Sequence, residues 1–449
     1  MNNPFLPHTD DDRVKMLQDL NIASTDELFT DIPSSIRLKN GLKLPEPMSE
    51  FELKKHIDEL AAKNKSMKEC ISFLGGGVYD HHVPSIVDHL IKRSEFYTSY
   101  TPYQAEVSQG ILQSIFEYQS MIAELTGMET ANASIYDGAS AVAEAAINAV
   151  ANTKREQVIV SSSVNLNYKK VLRTYLEGQG FDLKEVPSVD GVTDLSSLEE
   201  MLNDQTACVI LQSPNYLGII EDFTGIEKLL KDKKTQFVAV SDPISLAILE
   251  PPAKWGADIV VGDGQSLGNP MSFGGPLLGF FASKKKYIRK MPGRIVGETK
   301  DKEGKKGYVM TLQTREQHIR REKATSNICS NQALNVLAAC VYMSLMGPEG
   351  LKKTAELSLQ KAHYARKELE KIGVSPVYRD KPYYKEFLVK LPEPVDKVQR
   401  KLLDKNIFAG IDASRISHEF NNCLLISVTE KRTREEIDYF VEILGEVLK

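Results

Sequence analysis

The sequence predicts an α/β protein: a mostly parallel sheet with helices on both faces, a smaller α/β domain after it and a helical arm before it. Three observations predict this. Short β-branched runs alternate with helical stretches through the middle of the chain. Those runs, such as Val158-Ile159-Val160, are apolar throughout rather than alternating, as strands covered on both faces are. The segments before and after this region change pattern.

The arm spans residues 1–70. Residues 10–20 and 25–30 are short helical candidates, stopped near Pro33. Ser49-Glu50-Phe51-Glu52 reads as a capping box, and Leu53, Ile57, Leu60 and Ala61 follow it at helical spacing. Such an arm buries little by itself, so it is expected to pack on the main body or on another subunit. The large domain is expected over residues 71–325. Ile71-Ser72-Phe73-Leu74 runs into Gly75-Gly76-Gly77. A long amphipathic helix follows over 104–125, striped with Val107, Ile111, Ile115, Tyr118, Ile122 and Leu125 and stopped by Gly127. Strands are expected at 131–136, 157–161, 207–212, 237–241, 259–262 and 277–282, and helices at 139–152, 168–178, 195–202 and 226–231. Residues 300–306 form a solvated loop by composition. The small domain, 326–449, reads as helices at 331–346 and 349–372 around Gly347-Pro348, then strand 386–391, helix 396–405, strand 424–428 and helix 434–448.

Composition narrows the function. The 449 residues are 42% hydrophobic and 26% charged, an ordinary globular balance. Fifty-six Lys and Arg against 61 Asp and Glu leave a net charge of −5, so neither nucleic acid nor an anionic membrane is an expected partner. No uninterrupted apolar stretch approaches the ~18 residues that span a bilayer. Asp10-Asp11-Asp12 near the start, with no apolar segment beside it, argues against a secretory signal. Five scattered cysteines with no CxxC suggest neither disulfides nor a zinc ribbon, and a cytoplasmic setting is expected.

Several residues could carry chemistry. Asp137-Gly138-Ala139-Ser140 joins a predicted strand to a predicted helix. Gly138 allows close backbone approach there and Ser140 adds a hydroxyl, a place for a phosphate; an ordinary capped turn is the alternative. Asp242 ends the strand at 237–241. In pyridoxal-phosphate enzymes of this architecture an Asp there faces the pyridinium nitrogen; here it could equally cap the turn before Pro243. A Schiff-base lysine should follow the next strand, but Gln265 stands in Asp263-Gly264-Gln265-Ser266, and a carboxamide forms no imine. Lys254 lies at the wrong end of the sheet and Lys284 in a charge-rich run. Tyr97, Tyr100 and Tyr103, with Pro102, Gln104 and Glu106, suit a partner surface or substrate mouth, or else core packing. Arg315, His318, Arg320, Arg321 and Lys323 form a basic run that could meet an acidic carrier domain or a phosphate, or could equally be an exposed linker between the two domains. His81-His82, His89, Asp80 and Asp88 match no metal-ligand spacing, so no metal site is expected and a turn-and-helix surface is. Gly75-Gly76-Gly77 reads as a tight turn, since no P-loop lysine follows it.

Together these pieces resemble one family. Phe73-Leu74-Gly75-Gly76-Gly77-Val78-Tyr79-Asp80-His81-His82, Tyr100-Thr101-Pro102-Tyr103-Gln104-Ala105-Glu106, Gly262-Asp263-Gly264-Gln265-Ser266-Leu267-Gly268 and Thr314-Arg315-Glu316-Gln317-His318-Ile319-Arg320-Arg321 are similar to the alpha, or N-terminal-half, branch of the glycine-cleavage P-protein family, glycine dehydrogenase (decarboxylating). The resemblance implies a fold-type-I, pyridoxal-phosphate-transferase-like fold. It implies glycine as substrate, and pyridoxal phosphate on a beta partner (subunit 2) that has His-Lys-Thr where this chain has Gly264-Gln265-Ser266. It also implies a two-plus-two assembly and transfer of the aminomethyl group to the lipoyl arm of the H protein. On that reading Gly138, Ser140, Asp242 and Gln265 line a vestigial pocket. Tyr100, Tyr103, Gln104, Glu106, Gln109, Arg315 and Arg320 are then the interface candidates. A self-sufficient enzyme using Lys254 or Lys284, and a non-catalytic scaffold, are the competing readings.

Overall fold

The computed structural model describes residues 5–449. The chain forms two compact units, Met1–Lys65 and Ser66–Lys449. In the first, the helices Asp10–Asp19 and Glu50–Ala61 start from capping boxes at Thr9 and Ser49, with a 3-10 turn at Thr25–Phe29 between them. None of the three buries a residue; Leu53 and Ile57 of the apolar stripe are 48% and 52% exposed.

The second unit is built on a seven-stranded sheet. Its spatial order is Thr130–Ala131, Gly279–Ser283, Ile259–Asp263, Gln236–Val240, Thr206–Gln212, Gln157–Ser161, Asp182–Val186. The last five run parallel, and Gly279–Ser283 is antiparallel to both of its neighbours. Side chains alternate between two faces, and both are apolar. Val158, Val160, Val238 and Val261 pack with Ala141, Ala145 and Ala149 of the helix Gly138–Thr153. Ile159, Phe237, Ala239 and Val260 pack on the other side with Ile111, Ile115, Tyr118 and Ile122 of the helix Gln109–Thr126. That alanine-rich face lets its helix lie close to the sheet. At Gly279 a Cβ would stand 2.3 Å from the Asp137 carbonyl oxygen, so glycine is what lets the turn before Gly138 rest on the strand.

Some elements depart from expectation. The strand expected at 131–136 shrinks to Thr130–Ala131 plus a bridge from Ile135 to Gly279, because Ser134 takes a positive φ of 93°. The helix expected from 104 begins at Gln109, after a 3-10 turn at Ala105–Val107. The polar edge strand Asp182–Val186 and the hairpin of Ile295–Lys300 with Lys306–Thr311 lie outside the expected elements. The two helices expected on either side of Gly347-Pro348 do form, within the segment Ala333–Lys371, which is interrupted where Gly347 leaves helical geometry at φ 58°. It is long and apolar enough to cross a membrane by length and composition. Its first half instead buries Val336, Leu337, Ala339 and Tyr342 in the protein core.

The C-terminal elements form a four-stranded antiparallel sheet of Ser375–Pro376, Glu386–Lys390, Cys423–Ser427 and Ile411–Asp412, with the helices Val395–Leu403 and Arg434–Val447. Phe387, Val389, Leu424, Ile426 and Phe440 fill its core. Ile71–Ser72 pairs in parallel with Ile407–Phe408, so this short strand is added to the C-terminal elements rather than to the large sheet.

Candidate active site

The parallel strands all end at one edge, the usual place for ligands in such sheets. Asp242 lies just beyond Gln236–Val240, and Gln265 just beyond Ile259–Asp263. The Gly75–Gly77 loop and Lys385, next to the strand Glu386–Lys390, close on them from the other layer.

Asp242 is ion-paired. Its Oδ2 lies 2.6 Å from Lys385 Nζ, and the lysine side chain is 2% exposed. Nζ also stands 2.9 Å from His81 Nε2 and 3.4 Å from the centroid of the Tyr79 ring. An ammonium has three N–H donors, and here the carboxylate, the imidazole and the ring face are three acceptors for them. Because the ammonium can only donate, His81 accepts at Nε2 and carries its proton on Nδ1, which donates to Glu430 Oε2 at 2.5 Å. Burial pushes the Glu430 carboxyl upward, but His81 and the backbone N–H of His82 outweigh it and hold it below the ordinary glutamate range.

Gln265 is 1% exposed and fully engaged. Its Oε1 accepts from the Tyr79 backbone N–H at 2.9 Å; its Nε2 donates to the Tyr79 carbonyl at 3.1 Å and to the Asn269 carbonyl at 2.6 Å. The side chain thus pairs with Tyr79 as a neighbouring strand would. Tyr79 donates its hydroxyl to Glu386 Oε2 at 2.8 Å, while Glu386 Oε1 accepts from Gly76 N at 2.6 Å. Glycine is required at 75, where a Cβ would come 2.2 Å from Glu386 Oε1. Desolvation raises the Glu386 carboxyl to about 7, against the two hydrogen bonds and Lys385.

At the start of the helix Gly138–Thr153, the Gly138 N–H donates to Asp263 Oδ2 at 3.0 Å and the Ser140 N–H to Asp137 Oδ1 at 2.7 Å. Asp263 also accepts from Gln265 N at 2.9 Å. Burial raises its carboxyl to about 6. Asp242, Gln265 and the Gly138 amide therefore each have a partner within the chain. As arranged, they do not offer an open cradle to a phosphorylated pyridine.

The remaining candidates group elsewhere. Tyr100 is 85% exposed and Tyr97 64%; Gln104 and Glu106 are exposed beside them. Tyr103 packs edge-on to His318 and accepts from Arg294 Nη2 at 3.3 Å, which brings the tyrosine segment and the basic run together. Within that run Arg315 turns inward, donating to the Met291 and Gly293 carbonyls, and burial lowers its guanidinium to about 10. Arg320 is exposed and caps the Thr314 carbonyl at 3.1 Å. Gln109 clamps both the N–H and the carbonyl of Tyr308 at 2.8 Å. Asp80 and His81 do not lie on a turn-and-helix surface. They are buried, with Asp80 held by Arg432 at 2.9 Å and Lys431 at 2.7 Å.

Sequence reasoning missed Lys385, Tyr79, Glu386 and Glu430 as members of this cluster. Lys385-Glu386 opening a buried strand, where charged residues are rarely found without partners, was the available signal. Lys284 is tied to Asp258 at 2.9 Å, at the opposite end of Ile259–Asp263, and Lys254 is exposed in the turn before that strand.

The comparisons agree with this architecture. The family model described as glycine cleavage system P-protein matches residues 3–444. The chain is 55% identical over 98% of its length to the probable glycine dehydrogenase (decarboxylating) subunit 1 of Carboxydothermus hydrogenoformans, covering 99% of that protein. It is 51% identical to the protein of the same description from Anoxybacillus flavithermus, with 99% of each chain covered. A crystal structure of glycine decarboxylase (P-protein) of the glycine cleavage system in inhibitor-bound form superposes with a TM-score of 0.90 at 43% identity, covering 99% of this chain and 100% of that one. A NifS-like protein, at 15% identity and a TM-score of 0.64 over 84% of this chain and 99% of its own, shares the fold alone. The fold is that of the fold-type-I pyridoxal-phosphate enzymes, and the chain belongs to the glycine cleavage system P-protein family.

Proposed function

We propose that this chain is the subunit of a heteromeric glycine decarboxylase that does not carry the Schiff base. A homologous second subunit supplies the lysine and pyridoxal phosphate, in a two-plus-two assembly. Together they release carbon dioxide from glycine and pass the aminomethyl group to the lipoyl arm of the H protein. The cofactor supplies the electron sink for decarboxylation, and it does so on the partner.

The observation that carries this reading is Gln265: a non-nucleophilic carboxamide sits where the lysine belongs, and both of its ends are engaged by Tyr79 and Asn269. Lys385 does not replace the missing amine. An amine bonded to Asp242 lies where the ring nitrogen of a cofactor would lie, across the pyridine from the aldehyde carbon that an imine needs. What remains for this chain is a surface. Tyr97, Tyr100, Gln104, Glu106 and Val107 are exposed together, and Phe273 is 86% exposed in the turn after Asn269. Exposed aromatic side chains of this kind suit an interface with a protein partner. Arg320 and His318 are both exposed, and their basic character suits contact with an acidic carrier.

The test is an exchange assay of glycine with labelled bicarbonate. The chain alone with pyridoxal phosphate should show none, and adding the lysine-bearing subunit should restore it. Exchange by the chain alone favours a self-sufficient enzyme. Full exchange by the second subunit alone favours a passive scaffold.

A further inference from the structure

We propose that this chain keeps its own ancestral pocket shut by replacing the charges of pyridoxal phosphate with its own side chains, Lys385 standing for the pyridinium and Asp263 for the phosphate. The inference rests on the reading above and deepens it, since it makes the loss of the lysine only one of three changes that exclude the cofactor.

A pyridine nitrogen facing Asp242 needs the space beside Oδ2. That space holds the Lys385 ammonium at 2.6 Å, backed by the Tyr79 ring 3.4 Å from Nζ. A carboxylate this buried is costly without a cation, and Lys385 provides one permanently. A phosphate at the start of the helix Gly138–Thr153 needs the free backbone amides there. The first of them donates to Asp263 Oδ2 at 3.0 Å instead, so a protein carboxylate already occupies the positive end of the helix. The Tyr168 hydroxyl closes the same spot: a Cβ at Gly138 would meet it at 2.4 Å. The lysine position itself holds Gln265, hydrogen-bonded to the Tyr79 backbone. A cation, an anion and a neutral group thus stand where the cofactor presents a cation, an anion and an imine.

The lock also ties layers together. Lys385 comes from the C-terminal layer, Asp242 from the large sheet and His81 from the segment between, and His81 continues the chain of bonds to Glu430. A pocket that must open for a cofactor cannot keep such a bond; one that never opens gains a rigid joint from it.

Pyridoxamine phosphate tests this directly, because it offers the same ring and phosphate but needs no lysine. In equilibrium dialysis the wild-type chain should retain no stoichiometric pyridoxamine phosphate, and Gln265→Lys with pyridoxal phosphate should show neither visible absorbance nor a borohydride-trapped adduct. Lys385→Ala should raise retention of pyridoxamine phosphate at least tenfold. Stoichiometric retention by the wild-type chain, adduct formation by Gln265→Lys alone, or unchanged retention in Lys385→Ala overturns the proposal. Should Lys385→Ala fold poorly, its melting temperature should rise when Asp242→Asn is added, since both charges are then gone. A double variant that melts no higher than Lys385→Ala also overturns it. Retention by the wild-type chain would leave the need for a lysine-bearing partner intact, whereas carbon dioxide release by the chain alone would remove that reading instead.

Discussion

Burying Glu386 leaves a signature in the pH dependence of stability. Its carboxyl titrates at about 7 in the fold and near its ordinary value of 4.5 when unfolded. The folded state therefore holds a proton that the unfolded state loses. The stability linked to it is complete below about 4.5 and is lost as pH rises through about 7, up to about 3 kcal/mol at 1.36 kcal/mol per unit. Glu386→Gln keeps an acceptor for Gly76 N and a partner for the Tyr79 hydroxyl but cannot ionise. Relative to this variant, the wild-type chain should lose stability between pH 5 and pH 8 in thermal melts; a constant difference would show that the carboxyl is not held protonated. Asp263 and Glu144, raised by burial to about 6 and about 7, act in the same direction in both proteins and cancel from the comparison. Gly75→Ala is expected to cost about 1–3 kcal/mol, because its methyl group would meet Glu386 Oε1 and Ser427 Cβ, at 2.2 and 2.6 Å. Denaturant melts measure it.

Two glutamines on one helix explain an element that the sequence hides. On Gln109–Thr126, Gln119 accepts from Val296 N and donates to Val296 O, both at 2.9 Å, and Gln109 does the same to Tyr308. Each side chain acts as one residue of strand, pinning the hairpin of Ile295–Lys300 and Lys306–Thr311 to the helix. Gln119 is buried and Gln109 exposed. Gln119→Ala strands a buried N–H and carbonyl and should cost about 2–3 kcal/mol; Gln109→Ala lets water replace the amide and should cost about 1 kcal/mol or less. Faster hydrogen exchange at Val296 and Tyr308, respectively, would locate each loss. The same contrast shows what the sequence can reveal. The parallel strands, the alanine-rich helix and the capping box at Ser49 are local patterns, and they form where the pattern places them. The edge strand Asp182–Val186 is polar, and both it and the hairpin depend on distant partners. Gln265, Asp242 and Gly138 could be placed at one sheet edge from topology alone. Their partners could not, since Tyr79 and Lys385 are separated from Gln265 and Asp242 by well over a hundred residues and meet them only through the fold.

At the scale of the whole molecule, the proposed division of labour rests on the engaged Gln265 and on the exposed aromatic surface. On that proposal the chain contributes through the face it presents. Tyr100→Glu should therefore weaken association with the lysine-bearing subunit at least tenfold, read by sedimentation or titration calorimetry, while the melting temperature of the free chain stays unchanged. Phe273→Glu should act in the same way. Unaltered association in both variants would place the contact elsewhere on the surface. Where the coenzyme resides can be read without any activity. The assembled enzyme is reduced with borohydride in the presence of pyridoxal phosphate, and the phosphopyridoxyl lysine is located by peptide mass. The adduct should lie in the His-Lys-Thr segment of the second subunit, with none on this polypeptide. An adduct on Lys385, Lys284 or Lys254 would contradict the assignment made for Gln265.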